Sequence, residues 1–174
     1  MIMPAENTNK GKALSHAGGV HDEKSALDFL TGEFPEFHFW TTKDIEKFAG
    51  RIFQEAKKSE ELGDLEMQKQ FGKWYYGLGV LCARNYQEYA EKIEPDCHER
   101  YMAHTNSGYG WDRASSQAEF LGWIQASIEC RKRALKQWRL ALRDGQITKR
   151  GIGIPEKAFL FGFRKIRELE AKLG

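Results

Sequence analysis

The sequence predicts an all-α fold, a bundle of about four main helices preceded by an extended aromatic segment. Apolar residues recur at helical spacing in four long stretches. Glycine or proline stands at the boundaries of these stretches, at Gly63, Pro95, Gly145 and Pro155. A chain of 174 residues with 41% hydrophobic and 30% charged residues is long enough to bury a core and has the composition of a soluble globular protein.

The N-terminal part divides into two regions. Residues 1–24 are polar and lack periodicity, so we expect a flexible tail followed by a single helical domain over residues 25–174. A short helix is expected at Ser25–Thr31. Gly32–Trp40 then holds four aromatic residues, and Pro35 disfavours a helix there. We interpret this segment as a strap packed across the helices; an exposed arm for peptide binding or self-association is the alternative.

The first main helix is the best defined. Thr41 and Asp44 resemble a capping pair at its start, and Gly63 suits its end. A single apolar face follows from the spacing of Ile45, Phe48, Ala49, Ile52, Phe53 and Ala56.

A second helix is expected from about Asp64 to Ile93. Gly72, Gly77 and Gly79 weaken a helix by roughly 1 kcal/mol each relative to alanine. Either a close approach of another helix or a break near Gly77–Gly79 would explain them.

Residues 94–114 read as a long connection, with a loop at His104–Asp112 that mixes glycines with Tyr109 and Trp111. Both aromatic residues are candidates for base stacking or for anchoring a protein partner. Burial of Trp111 at the end of the core is an equally supported interpretation.

A long helix is expected from Ser116 to Gly145, opened by a capping box of Ser116 and Glu119. The last helix is expected from Pro155 to about Lys172. Its apolar face comprises Phe159, Phe163, Ile166, Leu169 and Leu173.

Charge is distributed unevenly along the chain. Residues 1–110 contain 13 Lys and Arg against 18 Asp and Glu, a net charge of −5. Residues 111–174 contain 14 against 7, a net charge of +7. This asymmetry indicates a basic surface for an anionic partner, although acidic and basic halves could also pair between copies of the chain.

The basic residues of the long helix fall in a row. Lys132, Lys136, Arg139 and Arg143 recur at i, i+4, i+7 and i+11, and Lys149 and Arg150 extend the row into the next connection. At about 1.5 Å per residue the four helical cations span about 16 Å, which suits a phosphate backbone or an acidic protein groove. A solvated face that only maintains solubility is the alternative.

The front of this helix contains Ala118, Gly122 and Ile128 at a characteristic spacing. The pattern resembles the core of a helix-turn-helix DNA-binding motif over about Ala114–Arg133. The resemblance implies that a second helix presents Gln125, Ala126, Glu129 and Arg131 to base edges. Trp123 and Ile124 stand where such a turn is usually polar, and an uninterrupted helix is therefore the favoured interpretation.

Signals for catalysis or a metal are weak. Cys97, His98, His104 and Asp112 lack the ligand spacing of a zinc site. Cys82 and Cys130 lie on or beside apolar faces, and their odd total with Cys97 favours a reduced, cytoplasmic setting. No apolar run reaches the ~18–20 residues of a membrane span, and the first residues lack the apolar core of a secretory signal.

We therefore expect a non-enzymatic protein without a cofactor that binds nucleic acid or a nucleoprotein complex through Lys132–Arg150. An inhibitor or adaptor that docks on an acidic or nucleic-acid-binding groove of another protein is the first alternative. A subunit of a homo-oligomeric assembly is the second.

Overall fold

The computed structural model describes residues 28, 30, 32, 42–95, 97–147 and 156–174. They form five main helices, α1 (Thr42–Glu61), α2 (Leu65–Lys92), α3 (His98–Phe120), α4 (Ile124–Ile147) and α5 (Glu156–Leu173). No strand occurs in these ranges, which confirms the all-α bundle. The expected tail, the aromatic segment at 33–40, Lys149 and Arg150 lie outside the described residues.

Neighbours in the chain are also neighbours in space. Each helix packs on the next, α1 on α2, α2 on α3, α3 on α4 and α4 on α5. Helices α3 and α4 run in opposite directions, because Ser115 meets Ser127 near the turn and Arg100 meets Asp144 at the far end. Helices α4 and α5 are antiparallel too, since Lys132 meets Glu170 and the later Leu135 meets the earlier Gly162.

The core has two parts. One lies mainly between α2, α3, α4 and α5, with Tyr76, Trp111, Ile128, Trp138 and Leu169 among its buried residues. The other lies between α1 and α2 and includes the buried Leu30, which precedes α1 in the chain. Because α3 and α4 each pack against neighbours on two sides, they form the centre of the described bundle.

The turn between α1 and α2 is a Schellman motif. Gly63 adopts a positive φ of 70°, and its amide donates to the Glu60 carbonyl at 3.1 Å, while the Asp64 amide donates to Ser59 at 2.9 Å. The Asp64 carboxylate then caps α2 by accepting from the Met67 amide at 3.0 Å. The predicted helix end at Gly63 is thus confirmed.

A second Schellman motif separates α3 from α4. Gly122 has a φ of 77°, its amide donates to Glu119 at 3.0 Å, and the Trp123 amide donates to Ala118 at 2.8 Å. The prediction of an uninterrupted helix from Ser116 to Gly145 is therefore wrong.

The predicted capping box at Ser116 is wrong for the same reason. Ser116 lies inside α3, where its hydroxyl donates to the Asp112 carbonyl at 3.1 Å. Glu119 instead accepts from Lys165 and Lys172 of α5, each at 3.0 Å. Gly145, the predicted helix end, is buried within α4.

The predicted loop at His104–Asp112 is also wrong, because these residues form the middle of α3. Its glycines admit neighbouring helices on two sides. A Cβ at Gly108 would overlap the Trp138 ring of α4, and a Cβ at Gly110 would lie 2.8 Å from the Ala83 nitrogen of α2. On α2, a Cβ at Gly79 would lie 3.0 Å from Gly110, so close approach, and not a break, explains that glycine.

The turn at Gly122 does not produce a DNA-reading helix-turn-helix. α3 and α4 form a long antiparallel hairpin, whose start is joined by the hydroxyls of Ser115 and Ser127, each donating to the other's carbonyl at 2.9 Å. Of the four residues expected to face bases, Ala126 and Arg131 are buried. α4 therefore cannot present that set to DNA, and this interpretation is wrong.

Candidate anion-binding face

The exposed side of α4 carries a row of cations. Its buried side is set by residues such as Ala134, Trp138 and Ala141, which are fixed in the core. The opposite side is left to solvent, and the four cations predicted from the sequence project from it: Lys132, Lys136, Arg139 and Arg143. We call these four residues the cation row.

The two ends of the cation row lie beside acids. Lys132 bridges to Glu170 of α5 at 3.1 Å, and the Arg143 guanidinium lies 3.3 Å from the Asp144 carboxylate. In contrast, no acidic side chain within the described ranges lies within 4.0 Å of the charged nitrogens of Lys136 or Arg139. Unneutralised positive charge is therefore concentrated at the middle of the row.

Asp144 anchors the far end of the row from within the core. Its carboxylate is 1% exposed and lies 3.3 Å from Arg100 Nε and 3.8 Å from His104 Nε2. The other ring nitrogen of His104, Nδ1, donates to the Gln137 side-chain oxygen at 2.8 Å. Burial lowers the pKa of His104, against the opposing effects of Gln137 and Asp144. These contacts fix the α3–α4 spacing beneath Arg143.

Helix α5 extends the face beside the cation row. The two helices touch where a Cβ at Gly162 would lie 2.8 Å from Leu135. Because they are antiparallel, the residues that follow this pair, Lys136 and Phe163, turn towards the same side. The Lys132–Glu170 bridge is on this side too, since Glu170 follows Phe163 by seven residues, about two helical turns.

Phe163 is therefore part of this face. The residue is 42% exposed, and its ring meets the Phe159 ring edge-on, with centroids 5.0 Å apart. Arg167, one turn further along α5, is exposed, and within the described residues no acid pairs with it. Together with the cation row, Phe163 and Arg167 make up what we call the basic face.

The two aromatic residues predicted to stack or anchor a partner do not belong to this face. Trp111 is 2% exposed, with Arg133 packed over its ring at 4.7 Å, so its ring is not available to a ligand. The interpretation that Trp111 fills the core is the one that agrees with the structure. Tyr109 is 41% exposed but packs on Trp138, about 120° around α4 from Lys132.

Sequence reasoning missed Phe163 and Arg167 as part of the site. Phe163 falls at helical spacing with Ile166 and Leu169, and this spacing predicts that it lies on the buried side of the last helix. The structure buries Ile166 and Leu169 but leaves Phe163 at the edge of the α4 contact. The sequence does place one cation of α5, Arg167, outside the apolar stripe of that helix. Its position could have indicated that α5 adds positive charge to the site.

The described residues offer little for other chemistry. They bring together no group of three His, Cys, Asp or Glu side chains that could hold a metal ion. None of the helices in this part of the chain is long and apolar enough to cross a membrane.

Comparison with known protein families, with curated proteins and with solved structures finds no match to this chain.

Proposed function

We propose that this protein is a non-catalytic nucleic-acid-binding protein and that the basic face is its binding surface. The proposal rests on one observation. Lys136 and Arg139 are neighbouring cations on the exposed side of α4, and no acid of the described chain neutralises them.

The geometry suits a polyanion. The cation row runs about 16 Å along α4, so it can follow several phosphates of one strand. Its backbone is held by Trp138 and Ala141, which are buried on the other side of α4. A rigid row of charges needs little ordering when it binds, since only the ends of the side chains have to be fixed.

Most of the binding energy would come from the release of counterions from the phosphates. Affinity should then fall steeply with salt, with a slope of log K against log salt of about −3 to −4 for four phosphate contacts. An acidic groove of another protein could also pair with these cations. The titration described next distinguishes nucleic acid from such a protein.

The test is fluorescence anisotropy of labelled oligonucleotides, single-stranded and duplex, titrated with protein between about 50 and about 200 mM salt. The double variant Lys136→Glu, Arg139→Glu should lose at least about tenfold in affinity. Its plot of log K against log salt should become shallower, by about 2 in slope. Failure of the unaltered protein to bind any oligonucleotide at low salt, or equal binding by the variant, refutes the proposal.

The matched control reverses two other exposed lysines, Lys47 and Lys57 of α1, which is separated from α4 by α2 and α3. This change alters net charge by the same amount but leaves the basic face intact. It should shift affinity by much less, because only long-range attraction is reduced.

A further inference from the structure

The packing around α4 limits how nucleic acid could approach it. A helix that reads duplex DNA has to project into a major groove about 12 Å wide, and a helix with its side chains is itself about 10–12 Å across. α4 is flanked by α3 on one side and α5 on the other, so only its outer stripe is free. α4 cannot enter the groove unless it loses its contacts with α3 and α5.

The aromatic part of the basic face adds a second constraint. Phe163 is 42% exposed beside the cation row, whereas duplex phosphates would offer its ring only a charged, hydrated surface. An unpaired base offers a flat π-surface instead. Stacking would remove the exposed ring from water.

From these two observations, and resting on the proposed function, we infer that the basic face binds single-stranded nucleic acid. One unpaired base stacks on Phe163 while Lys136 and Arg139 contact phosphates of the same strand. The edge-on contact with Phe159 holds the Phe163 ring in place for this stack.

The arrangement implies little sequence preference. Every base has a π-face, so stacking on Phe163 does not select one base, and the donors of Lys136 and Arg139 are directed to phosphates, which are the same at every nucleotide. Single strands of DNA and RNA share the base and phosphate chemistry used here. Comparing the affinities for a DNA probe and an RNA probe shows which of them the protein prefers.

The experiment measures anisotropy with labelled oligothymidine, oligouridine and a DNA duplex of matched length. The unaltered protein should bind the single strands more tightly than the duplex. Phe163→Ala should weaken single-strand binding roughly 5- to 150-fold, the range for loss of one stacked base, and leave duplex binding nearly unchanged. Phe163→Tyr, which keeps an aromatic ring, should restore single-strand binding.

Phe161→Ala is the matched control. Phe161 lies on the same helix with 52% exposure, but its ring is on the other side, near the Arg131 guanidinium. Equal loss from both alanine variants, or equal affinity of the unaltered protein for single strands and duplex, overturns the single-strand inference. If salt-dependent binding that requires Lys136 and Arg139 persists in that case, the proposed function stands without it.

Folding of the variants is checked by circular dichroism and thermal melting. Because Phe163 is 42% exposed and also packs on Phe159, its alanine variant should fold but melt at a lower temperature than the unaltered protein. The Phe163→Tyr result keeps the test decisive even if Phe163→Ala is less stable.

Discussion

The Ser107 hydroxyl of α3 donates a 2.7 Å hydrogen bond to the carbonyl of Ala83 in α2. Both residues are fully buried, so the two helices meet backbone to backbone at this point. Gly110 lies in the same contact, where an added Cβ would come within 2.9 Å of the Ala83 Cα. Such contact requires small residues on both helices, because a backbone cannot move aside as a flexible side chain can.

Gly110→Ala should therefore destabilise the protein. Overpacking costs about 1–3 kcal/mol, and the gain in helix propensity offsets up to about 1 kcal/mol of it. We expect a net loss of about 1–2 kcal/mol in the free energy of unfolding, measured by urea denaturation with the m-value compared to exclude a change in cooperativity.

Gly50→Ala provides the matched control for this substitution. Gly50 also lies inside a helix, α1, but no atom is within 4 Å of the position of its Cβ. The same substitution should there stabilise the protein by up to about 1 kcal/mol, since only the backbone propensity changes. Opposite signs at the two positions support the close approach of α2 and α3; equal effects contradict it.

This contact also explains why the sequence misleads for α3. A helix buried between two others needs small residues on two sides, and Ser107, Gly108 and Gly110 provide them. In the sequence, the same residues have the composition of a loop. The outer helices α1 and α5 were predictable, because each packs mainly on one neighbour and so keeps a single apolar stripe.

The turn between α3 and α4 gives a second prediction. Gly122 holds a φ of 77°, a conformation that costs a residue with a Cβ about 1–2 kcal/mol. Gly122→Ala should thus lower the free energy of unfolding by about 1 kcal/mol, and Gly122→Asn by less, because asparagine tolerates this region better.

Urea denaturation of both variants checks this prediction. The corresponding pair at Gly63, where φ is 70°, should give the same order of stabilities. Alanine variants as stable as the unaltered protein would show that these turns do not need the left-handed conformation.

The two turns differ in how easily the sequence reveals them. Gly63 follows the charged run that ends α1, and its neighbours in the chain are exposed, so its helix-ending role is evident. Gly122 precedes Trp123, whose ring packs edge-on against Tyr76 of α2 at 5.5 Å. That tertiary contact keeps the turn apolar, and an apolar turn is indistinguishable from a continuing helical stripe by periodicity alone.

The basic face was predictable only in part for a similar reason. Spacing within α4 suffices to align Lys132, Lys136, Arg139 and Arg143, since all four lie on one helix. Phe163 joins them only through the antiparallel contact of α4 with α5 at Leu135 and Gly162. Such a contact between separate helices leaves no periodic signal in either one.

The third prediction concerns pH. Burial lowers the pKa of His104 from its ordinary value of 6.5. As pH falls below about 7, the unfolded chain takes up a proton at this residue while the folded chain does not, so protonation favours unfolding. The free energy of unfolding should therefore decrease as pH falls through about 6.5 towards the folded-state pKa, by at most about 1.4 kcal/mol per pH unit.

Urea denaturation at several pH values between about 5 and about 7.5 measures this dependence. In His104→Gln the decrease should be smaller, although the variant loses stability at every pH with the Gln137 hydrogen bond. The control His98→Gln, at an exposed histidine on the same helix, should retain the full decrease. If His104→Gln and the unaltered protein showed the same pH dependence, Gln137 and Asp144 would have to stabilise the charged form of His104 enough to cancel the effects of burial and of the neighbouring Arg100 and Arg143 cations.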